Sequence, residues 1–450
     1  MASTVTYKLK KLLAQELFND IEDSASAIYY AGIGRSQEWD NASDSAPTPT
    51  VSEREQRNAL LNTQSVKRIT DYCFVVPRYN WSTGTTYSSY DDNSSGYPTN
   101  AYYILTDQNQ VYACIQTPKN SDGAVQPSTV KPTGTTNKAF TTADGYVWKF
   151  LYALGALDAT KFLAANYIPV KFFDSAQITG VSTAQELQQA NISNAAVGGQ
   201  ILNIIVTANG TGYTSNPTVT IVGDGTSASA TVTSRSGNQI NAISMDDDSA
   251  SLGSGYTKAY VKITGGGGTG AKARAVIGPK LGLGKDPRDE LRSTALMFNT
   301  KPNGLEGGDF IIDNDFRQVT LLKNPLIADS AGSFTGSTGM VLRKMTLNSG
   351  HSGFAEDQIV VGGTSGAKGI IDYLDDSDHI YYHGVESDGY FVSFTAGEAL
   401  SSAGGGSGTL SADSSQDVQP LSGDVLYIDN RAAIVRSNLQ TEDLKIVIQI

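Results

Sequence analysis

Between residues 70 and 175 the chain breaks repeatedly into short apolar runs set apart by turn residues. This texture limits the fold more than any other feature. "DYCFVVPR", "AYYILTD", "QVYACIQ", "GYVWKFLYAL" and "YIPVKFF" are strand-length and rich in β-branched and aromatic residues. Their separators carry the Gly, Asn, Asp, Ser and Pro that tight turns require. The rest of the composition agrees. Charged residues make up 17%, below the usual ~25%, and 46 glycines and 22 tyrosines suit short strands and polar turns better than helical bundles. The chain is predicted to be mainly β, with packed sheets and a few helices in loops.

An internal repeat follows. "GTGYTSNPTVTIVGDGTSASATV" is echoed by "GSGYTKAYVKITGGGGTGAKARAVI". Gly210, Gly212 and Tyr213 correspond to Gly253, Gly255 and Tyr256, a period of 43 residues. Val219 and Ile221 match Val261 and Ile263. Each unit reads as a glycine turn, an alternating strand, a second turn and another strand, which predicts two stacked hairpins. A second glycine-rich section, 350–420, contains "DQIVVGGTSGAKGIIDY", "YFVSFTAGEAL" and "SSAGGGSGTLSADSSQ". It is β-like, with its last part read as a loop.

Three helices are expected. Leu9, Leu12, Leu13 and Leu17 recur at helical spacing in "KLKKLLAQELF". "VSEREQRNALLNTQSVKRI" carries a Ser52/Glu55 capping-box pattern, with Leu60, Leu61 and Val66 as its apolar face. Residues 180–192 form the third, with Ser182 and Gln185 as a weaker box. At the C-terminus Leu444, Ile446, Ile448 and Ile450 alternate, predicting a half-buried strand whose other face is mostly polar.

Chemistry is hard to find. The formal charge of −12 gives no concentrated basic face for phosphate, so nucleic acid is not an expected partner. No apolar run reaches the eighteen or so residues a spanning helix needs, and no signal-peptide pattern opens the chain, so membrane insertion is not expected either. Cys73 and Cys114 sit in apolar runs and read as buried free thiols of a protein folded in a reducing cytoplasm. His379 and His383 in "HIYYH" lie in a strand-like or turn-like run. Asp375, Asp376 and Asp378 nearby read as a solvated turn rather than metal ligands. "GGGGTGAK" lacks the Lys-Ser/Thr ending and the following helix of a phosphate loop. "DDDSASLGSGY" lacks calcium-hand spacing. Asp91 and Asp92 have no partner placed by sequence. No catalytic residue, cofactor or metal is expected.

The three tryptophans, Trp39, Trp81 and Trp148, stand in polar settings: "GRSQEWDN", "VVPRYNW" and "DGYVWKF". Trp148 lies in an alternating strand and reads as core. Arg35 with Trp39, and Arg78 with Trp81, are candidates for an interface, where Arg and Trp often carry binding energy. The other reading is that these side chains pin their loops onto their own sheets.

Taken in order, "GRSQEW", "VVPRYNW…TTYSSYDD", "DGYVWKFLYAL", "FRQVTLLKNPL" and "SGDVLYIDNR…QTEDLKIVI" resemble the baseplate wedge subunit of T-even-type contractile phages, the product of gene eight. The resemblance covers about 28–175, 290–345 and 420–450, and the glycine-rich sections look like insertions of the kind found in cyanophage relatives. It implies a layered β-sandwich framework with helix-containing loops. The framework would occupy 1–178, 286–346 and 421–450, with inserted β modules at 179–285 and 347–420. It further implies a non-enzymatic homodimer in the virion that meets other wedge proteins and relays host attachment to sheath contraction. A receptor-recognition or fibre-attachment protein is the alternative.

Overall fold

A computed structural model of the chain describes residues 4–23, 27–41, 43–94, 96–246, 251–302, 310, 315–375, 377–384, 387–437 and 442–450. The fold is mainly β, built from antiparallel sheets with few helices. The chain gathers into two compact units. One holds residues 1–16, 73–297 and 447–450, and the other holds 17–72 and 298–446. This division cuts through the segment 1–178 that the sequence suggested as one stretch of framework.

In the first unit, Tyr103–Leu105, Gln110–Gln116, Val147–Ala153 and Phe140–Thr141 form a four-stranded sheet in that order. Its inner face packs Ile104, Tyr112, Cys114, Trp148 and Phe150. Trp148 is fully buried, stacked on Tyr146 at 5.4 Å and met edge-on by Tyr87. The strand Asp71–Pro77 pairs antiparallel with Tyr167–Pro169, and Val75, Phe162, Ala295 and Met297 form the adjoining core. Val447 of the C-terminal strand Leu444–Gln449 packs against that core. The face expected to be polar therefore contributes an apolar contact, while Ile446 on the other face is buried.

The repeat module departs from two separate hairpins. Thr218–Gly223 of the first repeat pairs with Ala259–Thr264 of the second, in a register that sets Val219 against Ile263 and Ile221 against Val261. The outer strands obey the same exchange. Ile201–Thr211 pairs with Thr269–Ile277, and Ala230–Ser236 pairs with Gln239–Met245. Equivalent residues thus swap roles across an approximate two-fold axis. The two halves share one core that includes Ile204, Tyr213, Ile243 and Tyr256. Glycine makes this possible at the turns. A Cβ on Gly268 would lie 2.4 Å from the Tyr213 ring, and one on Gly225 would lie 2.5 Å from the Tyr256 ring. Each tyrosine lies over a glycine of the other repeat. The run "GGGGTGAK" is therefore a turn leading into a strand.

In the second unit a five-stranded antiparallel sheet runs Thr338–Met340, Thr63–Arg68, Tyr29–Gly34, Asp315–Lys323, Asp424–Val435. Tyr30, Val66, Leu322, Phe334 and Val418 fill one side. Residues 343–414 close into a six-stranded barrel around Met345, Val360, Ile371, Ile380 and Leu410. Within it Ala399–Ser402 and Ser407–Ser414 form a hairpin, so the stretch read as a loop is largely strand. Of the β-like stretch 390–400, only Ala399 and Leu400 are strand, and 390–398 are turn, bend or irregular.

The helices need three corrections. Tyr7–Glu22 is helical, but Leu9, Leu12 and Leu13 are 46%, 54% and 48% exposed, and Ala14 and Ile21 are its buried residues. Polar anchors fix this rotation. The Tyr7 hydroxyl donates to Arg288 O at 3.2 Å, and Lys11 pairs with Asp289 at 2.9 Å. The second helix, Glu53–Leu61, has Ser52 as N-cap accepting from Glu55 N. It stops at Leu61, because Val66 is claimed by the sheet opposite Gly32. The helix Ala184–Asn194 is capped by Thr183 and Glu186, one residue beyond the expected pair. Ser182 instead accepts from Thr179 N.

Candidate functional site

The stretch "GRSQEW" builds a densely bonded polar site in the second unit. The strand Tyr29–Gly34 ends where its register against Thr63–Arg68 shifts between Ile33 and Gly34. Gly34 is required there, since a Cβ would sit 2.1 Å from Asn62 O. Arg35 then turns into the left-handed region at φ 61°. Its N–H reaches Asn62 O at 2.9 Å, and its carbonyl accepts from Arg317 N at 3.0 Å. One residue thus ties both neighbouring chain segments together, at the ~1–2 kcal/mol cost of a non-glycine residue in that conformation.

The side chains fold back over this turn. The Arg35 guanidinium lies 4.2 Å from the centre of the Trp39 ring and donates to Glu38 O. Trp39 is 7% exposed, and its indole N–H donates to Arg431 O at 2.8 Å. Arg317, buried, holds Asp44 at 2.9 Å, Asp315 at 2.8 Å and the carbonyl of Ser36. Ser36 Oγ donates to Asp372 Oδ1 at 2.8 Å, and Gln64 Nε2 donates to the same oxygen at 3.2 Å. The other oxygen of Asp372 meets His383 Nδ1 at 2.5 Å. Asp372 and His383 belong to barrel strands, whereas Ser36 and Gln64 belong to the sheet and its loop. A fully buried carboxylate therefore joins barrel and sheet.

Other carboxyls share this neighbourhood. Burial pushes Asp315, Glu356 and Asp357 above the usual carboxylate range, and neighbouring carboxylates push Glu356 and Asp357 further the same way. Their protonation would relieve mutual repulsion. Among the described residues no group of three or more His, Cys, Asp or Glu is placed to hold a metal ion.

Arg35 and Trp39 are bonded within their own loop and sheet, as in the reading that such side chains pin their loops. Arg78 and Trp81 lie in the other unit. Arg78 donates to Asn80 Oδ1 and Ala164 O, both at 2.9 Å. Trp81 donates to Ser128 Oγ at 3.1 Å and is packed against the core of the four-stranded sheet. Each pair secures a local loop.

The remaining candidates also have defined partners. Asp91 and Asp92 grip Arg274 of the second repeat at 2.5 and 2.8 Å. His379, on the strand His379–His383, meets Asp375 at 2.5 Å, and Asp375 also accepts from Ser377 N, closing a turn. Asp376 and residues 247–250 of "DDDSASLGSGY" lie outside the described residues. Cys73 and Cys114 are free. Burial pushes both thiols up, that of Cys73 to about 12, leaving little thiolate at neutral pH.

Sequence reasoning passed over Asp372 and Lys149. Asp372 is hidden in "GIIDY" but interrupts the uncharged run 369–374 of its strand. Lys149 stands between Trp148 and Phe150, a position where a lysine signals either a sheet edge or a buried cation. No protein-family model matches the chain, and no curated protein matches it at a significant level.

Proposed function

We propose that the chain is a structural subunit of the baseplate wedge of a contractile phage tail, working by assembly rather than catalysis. It would assemble in the host cytoplasm as a homodimer, join other wedge proteins in the virion, and help relay host attachment to sheath contraction. The observation that carries this reading is the series of five motifs in one order along the chain. What supports it further is where those motifs fall. "GRSQEW" supplies the tied turn, "DGYVWKFLYAL" a core strand, "FRQVTLLKNPL" a central strand and "SGDVLYIDNR" its neighbour. They belong to the sheets, whereas the glycine-rich sections enclose cores of their own. That is the distribution expected of a framework bearing insertions.

A receptor-recognition or fibre-attachment role is the second reading. It draws on Phe391 and Val392, which are 62% and 48% exposed in a turn within the barrel segment, since exposed apolar side chains side by side suit contact with a partner. A density map of intact tails separates the two. Copies in each wedge around the hub are expected, and density only at a fibre tip would transfer the assignment to the second reading. Light scattering tests the dimer separately, where a lone 47.6 kDa species at micromolar concentration would count against it.

A further inference from the structure

A cavity of about 170 Å³ lies in the first unit beside the strand Val147–Ala153. Ile115, Ala139, Val197, Leu252 and Leu283 give it an apolar wall, beside Asn137, Gln200 and two lysines, of which Lys138 is exposed and Lys149 is buried. Lys149 is only 6% exposed. Its Nζ donates to Asn137 O, and among the described residues this is its one hydrogen bond. An ammonium has three donors and a charge, and a buried charge is ordinarily paired.

The acid whose charge acts on Lys149, Glu290, does not complete the pairing. Glu290 is fully buried, but its two oxygens accept from Gly284 N at 2.7 Å and Asp286 N at 2.9 Å, and it makes no ion pair with Lys149 among the described residues. Burial draws Lys149 down to about 8 and pushes Glu290 up to about 8, so at neutral pH the amine is still mostly charged while Glu290 is mostly neutral. A second recess of about 720 Å³ adjoins the cavity and shares Asn137 and Ala195 with it.

We propose that this cavity binds a small organic acid, with Lys149 holding the carboxylate and the apolar wall holding a short carbon chain. The volume equals roughly five or six waters, which suits an acid of about three to five carbons. With Lys138 exposed, Lys149 is the one buried cation of the lining, and a single buried cation beside apolar side chains matches a monocarboxylate better than phosphate, whose greater charge needs several donors. The site owes nothing to the wedge reading and stands or falls independently of it.

Sodium butyrate titrated into the full chain, followed by calorimetry and by thermal shift, tests the site. Saturable binding is expected, and the neutral butyramide should give none. Lys149→Met, which keeps an apolar side chain of similar length, should abolish the butyrate response. In the wild type the dissociation constant should rise up to tenfold for each pH unit above about 8, as the amine loses its proton. No saturable response to propionate, butyrate or valerate would overturn the proposal, as would equal responses to butyrate and butyramide. Retained binding in Lys149→Met, or equal competition by chloride, would do the same. Should the variant fail to fold, the amide control and the wild-type pH profile decide alone.

Discussion

The two glycine-rich regions share a composition and reach opposite solutions to the problem of open strand edges. In the repeat module the halves interlock, so that outer strands of one repeat pair with those of the other. In the barrel six strands close on themselves through neighbouring ladders. Both place aromatic rings over glycines. Tyr382 covers Gly369 on the adjacent barrel strand, whereas Tyr213 and Tyr256 each cover a glycine of the opposite repeat. Glycine content therefore says that backbones and rings approach closely, and it does not say which segments approach. In the barrel the contact joins neighbours in a closed ring, whereas in the module it makes each half depend on the other.

The sharpest way to break this comparison is to remove half of the module. Deletion of 201–243 strips every cross-repeat ladder from the remaining half, and insoluble protein is expected. Excision of 200–278 with a short Gly/Ser linker should leave a soluble chain with a cooperative transition. Its ends lie side by side, as Gly278 N donates to Gln200 O at 2.7 Å. A soluble, cooperative half-module would show that the two halves fold separately after all.

Lys149 offers a test through pH, read by hydrogen exchange in each region. Its folded value is depressed below that of the unfolded chain, where it keeps its proton to higher pH. Between about 8 and the ordinary lysine value of 10.5 the unfolded state therefore binds more protons, and stability should rise with pH. The gain is about 3 kcal/mol. It should appear in the module-bearing unit, be absent from the barrel, and vanish in Lys149→Met, which should be at least as stable as wild type at pH 7. A flat profile in the wild type would refute the account of a buried ammonium.

Single glycines give a smaller effect. Gly225→Ala and Gly268→Ala each drive a methyl into a tyrosine ring and should cost ~1–3 kcal/mol. Gly255→Ala meets no atom within 4 Å but keeps a φ of 76°, so it should cost only the strain of ~1–2 kcal/mol. Denaturant titration ranks the three. Equal costs would remove ring packing as the reason for Gly225 and Gly268.

Ser36→Ala is the mildest change. It takes one donor from the buried Asp372 while His383 and Gln64 remain, and about 1 kcal/mol is expected. Exchange should quicken in the barrel strands Lys368–Leu374 and His379–His383 and stay unchanged in the module. A uniform effect across both regions would mean that Asp372 is not a local tie.

Much of this protein follows from sequence alone. Alternation and turn residues determine the β class, because side chains in a strand point to opposite faces with period two. That local rule places Trp148 in the core and makes Leu444–Gln449 a strand. The period of 43 residues likewise fixes that the module has two equivalent halves. Tertiary structure decided the rest. Equivalent strands carry the same pattern, so their sequence cannot distinguish pairing within a repeat from exchange between repeats. Thr63–Arg68 follows a capped helix, and only a vacant place in the sheet turned it to strand. The leucines of the first helix face outward because Tyr7 and Lys11 find partners about 280 residues away. The tie between Ser36 and Asp372 spans 336 residues, and the charge state of Lys149 depends on a cavity wall contributed by several segments. Such contacts depend on which surfaces remain to be covered once local structure has formed, and no local pattern records that.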